Sequence, residues 1–395
     1  MKARNLIQID RLFFLPYKIL RNFVTAFGPT TGPPRGEGPV LIIKFMGMGS
    51  ITRFASLCNE LQINRNHLVL ITFAGQLEIC RLLGFGQCWF IRTSGVIAFI
   101  SDCLKIIVRS WKVRPSVIVD YERCSYAVGV FRFILGWRTN ASLVCFENID
   151  ADFLCGRLTA FSIRKINLVT MFKLGLRNCV GAGSLVTEHL IEMNGQRVIV
   201  NCNASNYLLA RRYPADGFVH LIEMLQGASP ELEFYFTGSE SEFDYVEEIV
   251  DKLRAKEIRV SNMSGKWSIE QLCDALVACR MFITCDSGPL HLAAMLGVPT
   301  LAIWGPTQAE QFGYENYPHI KNVSVRMSCA PCLSHPYSAV AIACRGEITC
   351  MKTLPVERLF STSIEMLSAK AMTRKAAVLP GRIATKDREL QPQSA

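Results

Sequence analysis

Two successive series of short apolar segments alternating with amphipathic segments predict an α/β protein with two parallel, doubly wound sheets. At 395 residues the chain is longer than one hydrophobic core usually supports, so two domains are expected. Half of the residues are hydrophobic and 19% are charged. This composition excludes a disordered chain and is typical of the buried strands of parallel sheets.

The first series follows a segment rich in proline and glycine, residues 28–39, which predicts a linker. Its segments are, in order, VLIIKF, a helix near 51–62, HLVLITF, a helix near 75–84, CWFIRT, a helix near 95–110, SVIVDYE and a helix near 125–136. Repeated alternation of strand and helix favours a parallel sheet with crossover helices. Residues 140–195 are less periodic, and we expect the remaining strands and the passage between the domains there.

The second series begins with RVIVNCNA and continues to PTLAIWG. Between them lie a helix near 214–226, LEFYFTG, a helix near 242–254, IRVSNMS, a helix near 268–279, MFITCDSG and a helix near 289–296. We therefore predict two Rossmann-like domains facing across a cleft, with ligands outside the carboxyl ends of the strands. We expect a basic amphipathic leader with its linker over residues 1–38, a first domain over 39–190 and a second domain over 191–369. A basic flexible tail is expected over residues 370–395.

The leader interleaves apolar side chains with Arg11, Lys18 and Arg21, and Pro16 interrupts it. Such a segment can lie in a membrane interface or pack on the surface of its own protein, and the pattern does not choose between these alternatives. The chain has no run of about 20 uncharged apolar residues, so a membrane-spanning helix is not expected.

The formal charge of +10 favours anionic partners. Nucleic acid is not expected among them, because the basic residues are scattered and no aromatic stacking pattern accompanies them. The 16 cysteines often lie within apolar runs, which predicts core thiols in a reducing compartment rather than disulfides.

The most informative local pattern is residues 281–307, where an apolar strand ends in Asp286-Ser287-Gly288 and a helix follows. Free N–H groups and the positive dipole at the start of a helix favour a phosphate, and Gly288 allows close approach. His291 falls on the first turn of this helix. The alternative is that Asp286 only caps the helix and that His291 is a surface residue.

This segment, with Arg211-Arg212-Tyr213-Pro214 and FTGSESEF at 236–243, resembles glycosyltransferase family 9, the ADP-heptose:lipopolysaccharide heptosyltransferases. The similarity extends over roughly residues 40–365 and is densest in the second half. It implies a GT-B architecture in which the second domain holds most of the nucleotide sugar. It also implies an inverting transfer of heptose or a similar sugar, with no required cofactor or metal, to a lipopolysaccharide or another envelope glycan.

The resemblance also implies roles for individual residues. Ser287, Gly288 and His291 would contact the donor diphosphate, and Arg211 would pair with phosphate oxygens. Glu240 or Glu242 would accept hydrogen bonds from the ribose or base, and Asp286 would orient the loop or the histidine. The implied partners are a nucleotide-diphosphate sugar, with ADP-heptose the first candidate, and a glycolipid or polysaccharide acceptor. The implied location is the cytoplasm, peripheral to the inner membrane through the leader.

The first domain departs from the family pattern after its first strand. The family usually has Gly-Asp there, with the aspartate regarded as the general base, whereas this chain has Gly49-Ser50. Gly47 and Gly49 suit a tight loop near the acceptor, but a serine without a neighbouring base is a poor proton acceptor. Glu122 is the replacement that we expect and Asp120 the second candidate, since both end a strand at the edge that should open into the cleft. They can equally cap the next helix or pair with nearby arginines.

Three further interpretations stay open. Cys329, Cys332, Cys344 and Cys350 form a loosely spaced set that could bind a structural metal. Gly47-Met48-Gly49 resembles a fragment of a dinucleotide-binding fingerprint, although Thr52 stands where its third glycine should be. Finally, the missing aspartate allows a catalytically degenerate protein that binds nucleotide sugars or acts as a scaffold in envelope glycan assembly.

Overall fold

The computed structural model of the chain describes residues 12–27, 38–145, 188–332, 349–368 and 373–377. Short gaps within these ranges fall at 46, 61–62, 64, 123–124, 138, 140, 193, 205–208, 313 and 316. The chain separates into two compact units, and the described residues up to 145 belong to the first and those from 188 onward to the second.

The first unit is a five-stranded parallel sheet with helices on both faces. Its elements are α1 (Phe14–Phe27), β1 (Val40–Ile43), α2 (Met48–Glu60), β2 (Leu68–Phe73), α3 (Leu77–Leu82), β3 (Gln87–Ile91), α4 (Val96–Val113), β4 (Val117–Asp120), α5 (Tyr126–Gly136) and β5 (Ser142–Cys145). The strand order is β3-β2-β1-β4-β5. The order reverses at β1, so the carboxyl ends of β1 and β4 are neighbours, with Ile43 beside Asp120.

The second unit is a six-stranded parallel sheet, in the order β12-β11-β10-β7-β8-β9. Its elements are β6 (Glu188–Glu192), β7 (Asn194–Asn201), α6 (Ala215–Ala228), β8 (Glu233–Phe236), α7 (Phe243–Arg254), β9 (Val260–Asn262), α8 (Ile269–Ala278), β10 (Cys279–Cys285), α9 (Gly288–Leu296), β11 (Thr300–Trp304), α10 (Ala309–Phe312), β12 (Ile320–Ser324), α11 (Thr349–Lys352), α12 (Val356–Ser368) and β13 (Thr373–Ala377). Both strand and helix series of the sequence prediction are present.

Each unit has its own apolar core. In the first, Leu41, Ile43 and Ile118 of the central strands pack with Ile106 of α4 and Val128 of α5. In the second, the strands β7, β8 and β10 bury valine, isoleucine and phenylalanine side chains against α6 and α7. The opposite face of this sheet packs Leu290 of α9 on Trp304 of β11. Near-continuous apolar strands are buried on both faces, as parallel sheets require.

The leader contains a regular helix over its described residues. Pro16 does not interrupt α1 as expected, because it lies in the first turn, where its missing N–H is not needed. Tyr17 is 6% exposed and packs against α5, whereas Leu12, Leu15 and Ile19 are exposed. One face of the helix therefore packs on the protein and another does not. Residues 1–11 and the linker at 28–37 lie outside the described residues.

The tail prediction is wrong for one segment. Residues 373–377 form β13, which pairs antiparallel with β6 in a separate two-stranded sheet. Backbone pairing of this kind does not require an apolar segment, so the basic composition gave no sign of it. Among the described residues, no helix combines the length and hydropathy that crossing a bilayer requires.

Candidate functional site

Polar residues follow four adjacent strands at the carboxyl edge of the second sheet. Asp286 and Ser287 follow β10, Asn203 follows β7, Gly238 follows β8 and Ser264 follows β9. Because parallel strands all end at the same edge, these residues come together although they span more than 80 positions in the sequence. This edge is where ligands of doubly wound sheets bind.

Hydrogen bonds connect these strand ends into a continuous polar row. The amide of Asn201 donates to Ser287 Oγ at 2.8 Å, and Asn201 Oδ1 accepts from the N–H of Asn203 at 3.3 Å. Asn203 donates in turn to the carbonyl of Thr237 at 3.0 Å. A Cβ on Gly238 would lie 2.7 Å from Asn203 Nδ2 and 2.9 Å from Ser264 Oγ, so any other residue there would displace these two side chains.

Asp286 is buried at the centre of the site, with 1% of its surface exposed, and three other residues lie around its carboxylate. Its Oδ2 accepts from Thr307 Oγ1 at 2.7 Å and lies 3.2 Å from Arg211 Nη1. The imidazole Nε2 of His291 lies 3.9 Å from Asp286 Oδ1. A buried carboxylate needs such partners, so Asp286 holds Arg211 and the loop after β11 in place.

The alternative interpretation of the signature is wrong on both points. Ser287, not Asp286, is the N-cap of α9. His291 is 6% exposed rather than a surface residue, and its Nδ1 lies 2.7 Å from the hydroxyl of Tyr314. The first-turn N–H groups of α9 lack intrahelical acceptors, as in any helix, and Gly288 adds no side chain there. The turn can therefore accept an anion.

Four buried polar atoms of this region have no hydrogen-bond partner within the described part of the chain: Arg211 Nε, Asp286 Oδ1, Asn203 Oδ1 and Ser264 Oγ. Leaving a buried polar group unsatisfied costs about 1–3 kcal/mol, so folded proteins rarely do so without a reason. Their concentration at one sheet edge indicates a binding site for a polar ligand.

The two glutamates predicted to contact a nucleoside differ in their surroundings. Glu242 accepts from both the N–H and the hydroxyl of Ser239 at 2.8 Å, in a capping box at the 3₁₀ turn Glu240–Glu242. It also lies 3.6 Å from Arg212, whose guanidinium covers the Tyr245 ring at 4.3 Å. Glu240 is exposed. Glu242 thus fixes the loop, which leaves Glu240 as the more accessible carboxylate.

In the first unit, the loop after β1 turns directly into a helix. Gly47 has φ of 91°, a conformation that favours glycine, and α2 begins at Met48. Gly49 therefore lies in the first turn of α2 rather than in the loop. The hydroxyl of Ser50 accepts from Arg53 Nη2 at 3.2 Å.

The carboxylates Asp120 and Glu122 lie at the end of β4, beside the end of β1. Glu122 Oε2 accepts from Lys44 Nζ at 3.0 Å and from the N–H of Phe45 at 2.9 Å. Asp120 Oδ1 accepts from the N–H of Glu122 at 3.0 Å. Neither caps the following helix, because Ser125 is the N-cap of α5. Burial raises the pKa of Asp120 to about 6, although the charge of Arg132 opposes this shift.

The cysteine set is only partly described. Cys329 is exposed, Cys332 is half-buried and Cys350 is buried against Gly305, while Cys344 lies outside the described residues. Within the described ranges, no three metal-binding side chains come close enough to hold an ion. The prediction of a metal at these cysteines stays a prediction.

Sequence reasoning missed the residues that support the predicted ones. Asn201, Asn203, Ser264, Thr307, Tyr314 and Lys44 all contact or flank them. The signal that could have found the first three is their place as polar residues at or just after an apolar strand. Thr307 is the last residue of the signature segment 281–307, after β11, although its contact with Asp286 was not predicted. Tyr314 gave no such signal, since only the fold brings it to His291.

The sequence family model that matches this chain is glycosyltransferase family 9 (heptosyltransferase), over residues 184–342. The match covers less than half of the chain and falls almost entirely in the second unit. The matched residues contain the whole polar row, Arg211 and Asp286. The prediction from the signature motifs is thereby confirmed.

Curated proteins match this chain in part. Lipooligosaccharide heptosyltransferase 2 of Campylobacter jejuni is 29% identical over 178 residues, which are 45% of this chain and 53% of the relative. Lipopolysaccharide heptosyltransferase 2 of Escherichia coli is 26% identical over 126 residues, 31% of this chain and 36% of the relative. The chain thus spans about half the length of these curated relatives, or less.

Solved structures support the fold over most of this chain. A family 9 glycosyl transferase from Veillonella parvula superposes with a TM-score of 0.60 and 14% identity, covering 86% of this chain and 99% of the other. The E. coli ADP-heptose lipopolysaccharide heptosyltransferase II superposes with a TM-score of 0.57 and 15% identity, covering 83% of this chain and 98% of the other. The predicted fold class, two Rossmann-like α/β domains of the GT-B type, is confirmed.

Proposed function

We propose that this chain is a glycosyltransferase that moves heptose or a similar sugar from a nucleotide-diphosphate donor to a lipopolysaccharide or another envelope glycan. The observation that carries the proposal is the anion-binding edge of the second sheet. There the start of α9, Arg211 and several unsatisfied buried polar atoms lie together. The relatives named above are heptosyltransferases, which favours a heptose as the transferred sugar. ADP-heptose is the donor that the resemblance of the signature motifs implies.

The donor diphosphate would lie at the first turn of α9, with Ser287, Gly288 and His291 around it. The guanidinium of Arg211 presents a planar fork that suits phosphate oxygens. Asp286 keeps this fork in place, since it contacts Arg211 at 3.2 Å. Glu240 would accept hydrogen bonds from the ribose or base.

Charge at this edge supports leaving-group departure without a metal. As the bond to the anomeric carbon breaks, negative charge develops on the diphosphate, where the helix dipole and Arg211 can stabilise it. We propose metal-independent transfer on this ground. The acceptor hydroxyl would attack from the opposite face, which inverts the anomeric centre.

The general base would come from the end of β4. Asp120 has a pKa of about 6, near the pH at which a base accepts protons efficiently. Glu122 Oε2 already accepts hydrogen bonds from Lys44 Nζ and from the N–H of Phe45, so this oxygen is occupied by the protein itself. We therefore place Asp120 ahead of Glu122, which reverses the order that the sequence suggested. Gly47, Gly49 and Ser50 would line the approach of the acceptor.

We also propose that the protein works in the cytoplasm, with a peripheral contact to the inner membrane through the leader. The exposed side chains Leu12, Leu15 and Ile19 of the α1 region support this contact.

One observation favours a second function, a degenerate binding or scaffold protein. The position of the family's aspartate carries Ser50, and its hydroxyl is engaged by Arg53. If neither Asp120 nor Glu122 serves as the base, nucleotide-sugar binding would remain without transfer.

The test incubates the purified protein with ADP-, GDP- and UDP-sugars and with extracted lipopolysaccharide core acceptors. The measured quantity is the release of ADP, GDP or UDP. We expect ADP release that depends on the acceptor and persists in excess EDTA. Proton NMR of the product should give the inverted anomeric configuration. Binding of ADP-sugars without release from any donor would favour the scaffold function, and loss of release in EDTA would contradict metal independence.

A further inference from the structure

Exposed large hydrophobic side chains are concentrated in one region of the first unit. Within the described residues, all of them except Leu209 lie on or beside α1, α4 and α5. Both α1 and α4 pack against α5, so the three helices form one layer. Soluble proteins rarely expose large contiguous apolar patches without a partner.

The helix α4 carries the most regular part of this patch. Ile97, Ile100, Leu104 and Val108 follow one another at spacings of three and four residues, which places them on one face of the helix. Ile97 is 86% exposed and Leu104 is 57% exposed. The opposite face buries Ile106 and Ile107 in the core of the unit. The helix thus has apolar residues on two sides, and only the side with Ile106 and Ile107 packs against the core of the first unit.

Positive charges border this apolar face of α4. Lys105, Arg109 and Lys112 lie along the same side of the helix as Leu104 and Val108. The one acidic residue of α4, Asp102, is buried, and Arg92 binds it through two hydrogen bonds of 2.8 and 2.9 Å. Lys105 Nζ lies farther from it, at 3.9 Å, and the Lys105 side chain is largely exposed. The negative charge of Asp102 is therefore already compensated, which leaves an apolar face with a cationic border.

The neighbouring helix α5 extends the same surface. Trp137, at its end, is exposed, and Trp111 of α4 donates to the carbonyl of Ile134 at 2.9 Å across the contact of the two helices. Amphipathic aromatic rings of this kind are typical of the boundary between water and a bilayer.

We propose that the exposed face of α4, with the adjoining end of α5, binds the surface of an anionic lipid bilayer. The apolar stripe would enter the boundary between headgroups and acyl chains, while Lys105, Arg109 and Lys112 contact lipid phosphates. The binding face is distinct from the leader helix and does not depend on any enzymatic activity.

Charge complementarity selects this occupant over a second copy of the chain. A twofold interface through α4 would bring the same cationic border of each copy together, and like charges across an interface are unfavourable. An anionic bilayer offers opposite charge and an apolar interior to the same surface.

The experiment measures flotation of the full chain with vesicles of phosphatidylglycerol and phosphatidylethanolamine, and with vesicles of phosphatidylcholine alone. We expect binding to the anionic vesicles that weakens with salt. Ile97→Glu combined with Leu104→Glu should lower the partition coefficient roughly tenfold or more, because two apolar anchors are lost. Lys105→Gln combined with Lys112→Gln should lower it roughly tenfold on anionic vesicles only.

The matched control is Ala228→Glu combined with Ala255→Glu, which adds the same two charges at exposed positions of the second unit. It should bind like the wild type. Both substitutions in α4 are on the surface, so an unchanged thermal midpoint would show that the fold is intact. Equal partition of the wild type and the α4 variant, or no vesicle binding by the wild type, would overturn the proposal. It would also be overturned if sedimentation showed a wild-type dimer that the α4 variant abolishes.

Discussion

At the scale of single residues, the candidate site depends on the buried carboxylate of Asp286 and on the guanidinium of Arg211 beside it. Asp286 is buried and contacts Arg211, Thr307 and His291, so it organises three different segments around one carboxylate. The Nε atom of Arg211 is buried and has no hydrogen-bond partner within the described part of the chain. In the proposed function, Arg211 and His291 contact the charged part of the donor rather than its base.

We expect Arg211→Ala and His291→Ala to weaken binding of ADP by roughly tenfold or more, because each removes a contact to a charged group. Binding of adenosine should change much less, since adenosine has no phosphate. Isothermal titration calorimetry with both ligands measures the difference. Arg259→Ala removes an exposed arginine elsewhere in the same unit and should change neither affinity. An equal loss for ADP and adenosine would contradict the assignment to phosphate.

The raised pKa of Asp120 leads to a prediction on pH. Its carboxyl must be deprotonated to act as a base, so kcat/KM should fall about tenfold per pH unit below pH 6 and level off above it. Asp120→Asn should lower kcat by roughly a hundredfold or more, with donor affinity nearly unchanged. Glu122→Gln, compared at the same pH values, should have the smaller effect on kcat and keep the inflection.

If Glu122→Gln is instead the inactive variant and Asp120→Asn turns over normally, then Glu122 is the base and the pH inflection has another origin. If both variants are active, neither carboxylate is essential.

At the scale of elements, the leader helix is joined to the first unit by a close contact. A Cβ added at Gly129 of α5 would lie 2.4 Å from the ring of Tyr17, so α1 can pack only because residue 129 is glycine. The Tyr17 ring also lies against Tyr126 and Phe133 of α5, with centroids 5.7 and 6.2 Å away. This contact determines which face of the leader is left exposed.

We expect Gly129→Ala to displace α1 from α5. Overpacking of this kind typically costs about 1–3 kcal/mol, and the freed helix should be cleaved faster by proteases within residues 12–27. Limited proteolysis with mass spectrometry measures the rate. Gly227→Ala is the matched control, because it lies in a helix with no atom within 4 Å of the added methyl group, and alanine favours a helix there. Equal cleavage rates for the two variants would exclude the steric role of Gly129.

At the scale of the whole molecule, the proposed donor site lies entirely in the second unit. Arg211, Glu240, Asp286, Ser287, Gly288 and His291 all fall within residues 186–378. This unit has its own sheet and its own buried core, as an independently folding domain requires.

We therefore expect a fragment of residues 186–378 to bind ADP within about tenfold of the affinity of the full chain, while it releases no nucleotide from a sugar donor. Calorimetry measures the affinity, and circular dichroism verifies that the fragment is folded. A folded fragment with no measurable ADP affinity would show that the first unit supplies essential donor contacts.

The sequence by itself determined the fold class, the resemblance to the family and the strand ends that form the candidate site. Apolar runs bounded by polar residues and glycine predict the positions of the strands, because a strand that is buried on both faces of a parallel sheet must be almost entirely apolar. The order from VLIIKF to PTLAIWG agrees with the observed β1 to β11, apart from β5 and β6 in the less periodic stretch. The motif around Asp286 likewise placed a helix start directly after a buried strand.

Only the tertiary structure decided how those residues are used. Lys44 and Glu122 are 78 positions apart, and Tyr314 lies 23 residues beyond His291, so no local pattern pairs them. They meet because parallel strands end at a common edge. The same holds for the exposed face of α4. The sequence places apolar residues on more than one side of this helix, and only its packing in the first unit determines which of these sides is buried and which is exposed.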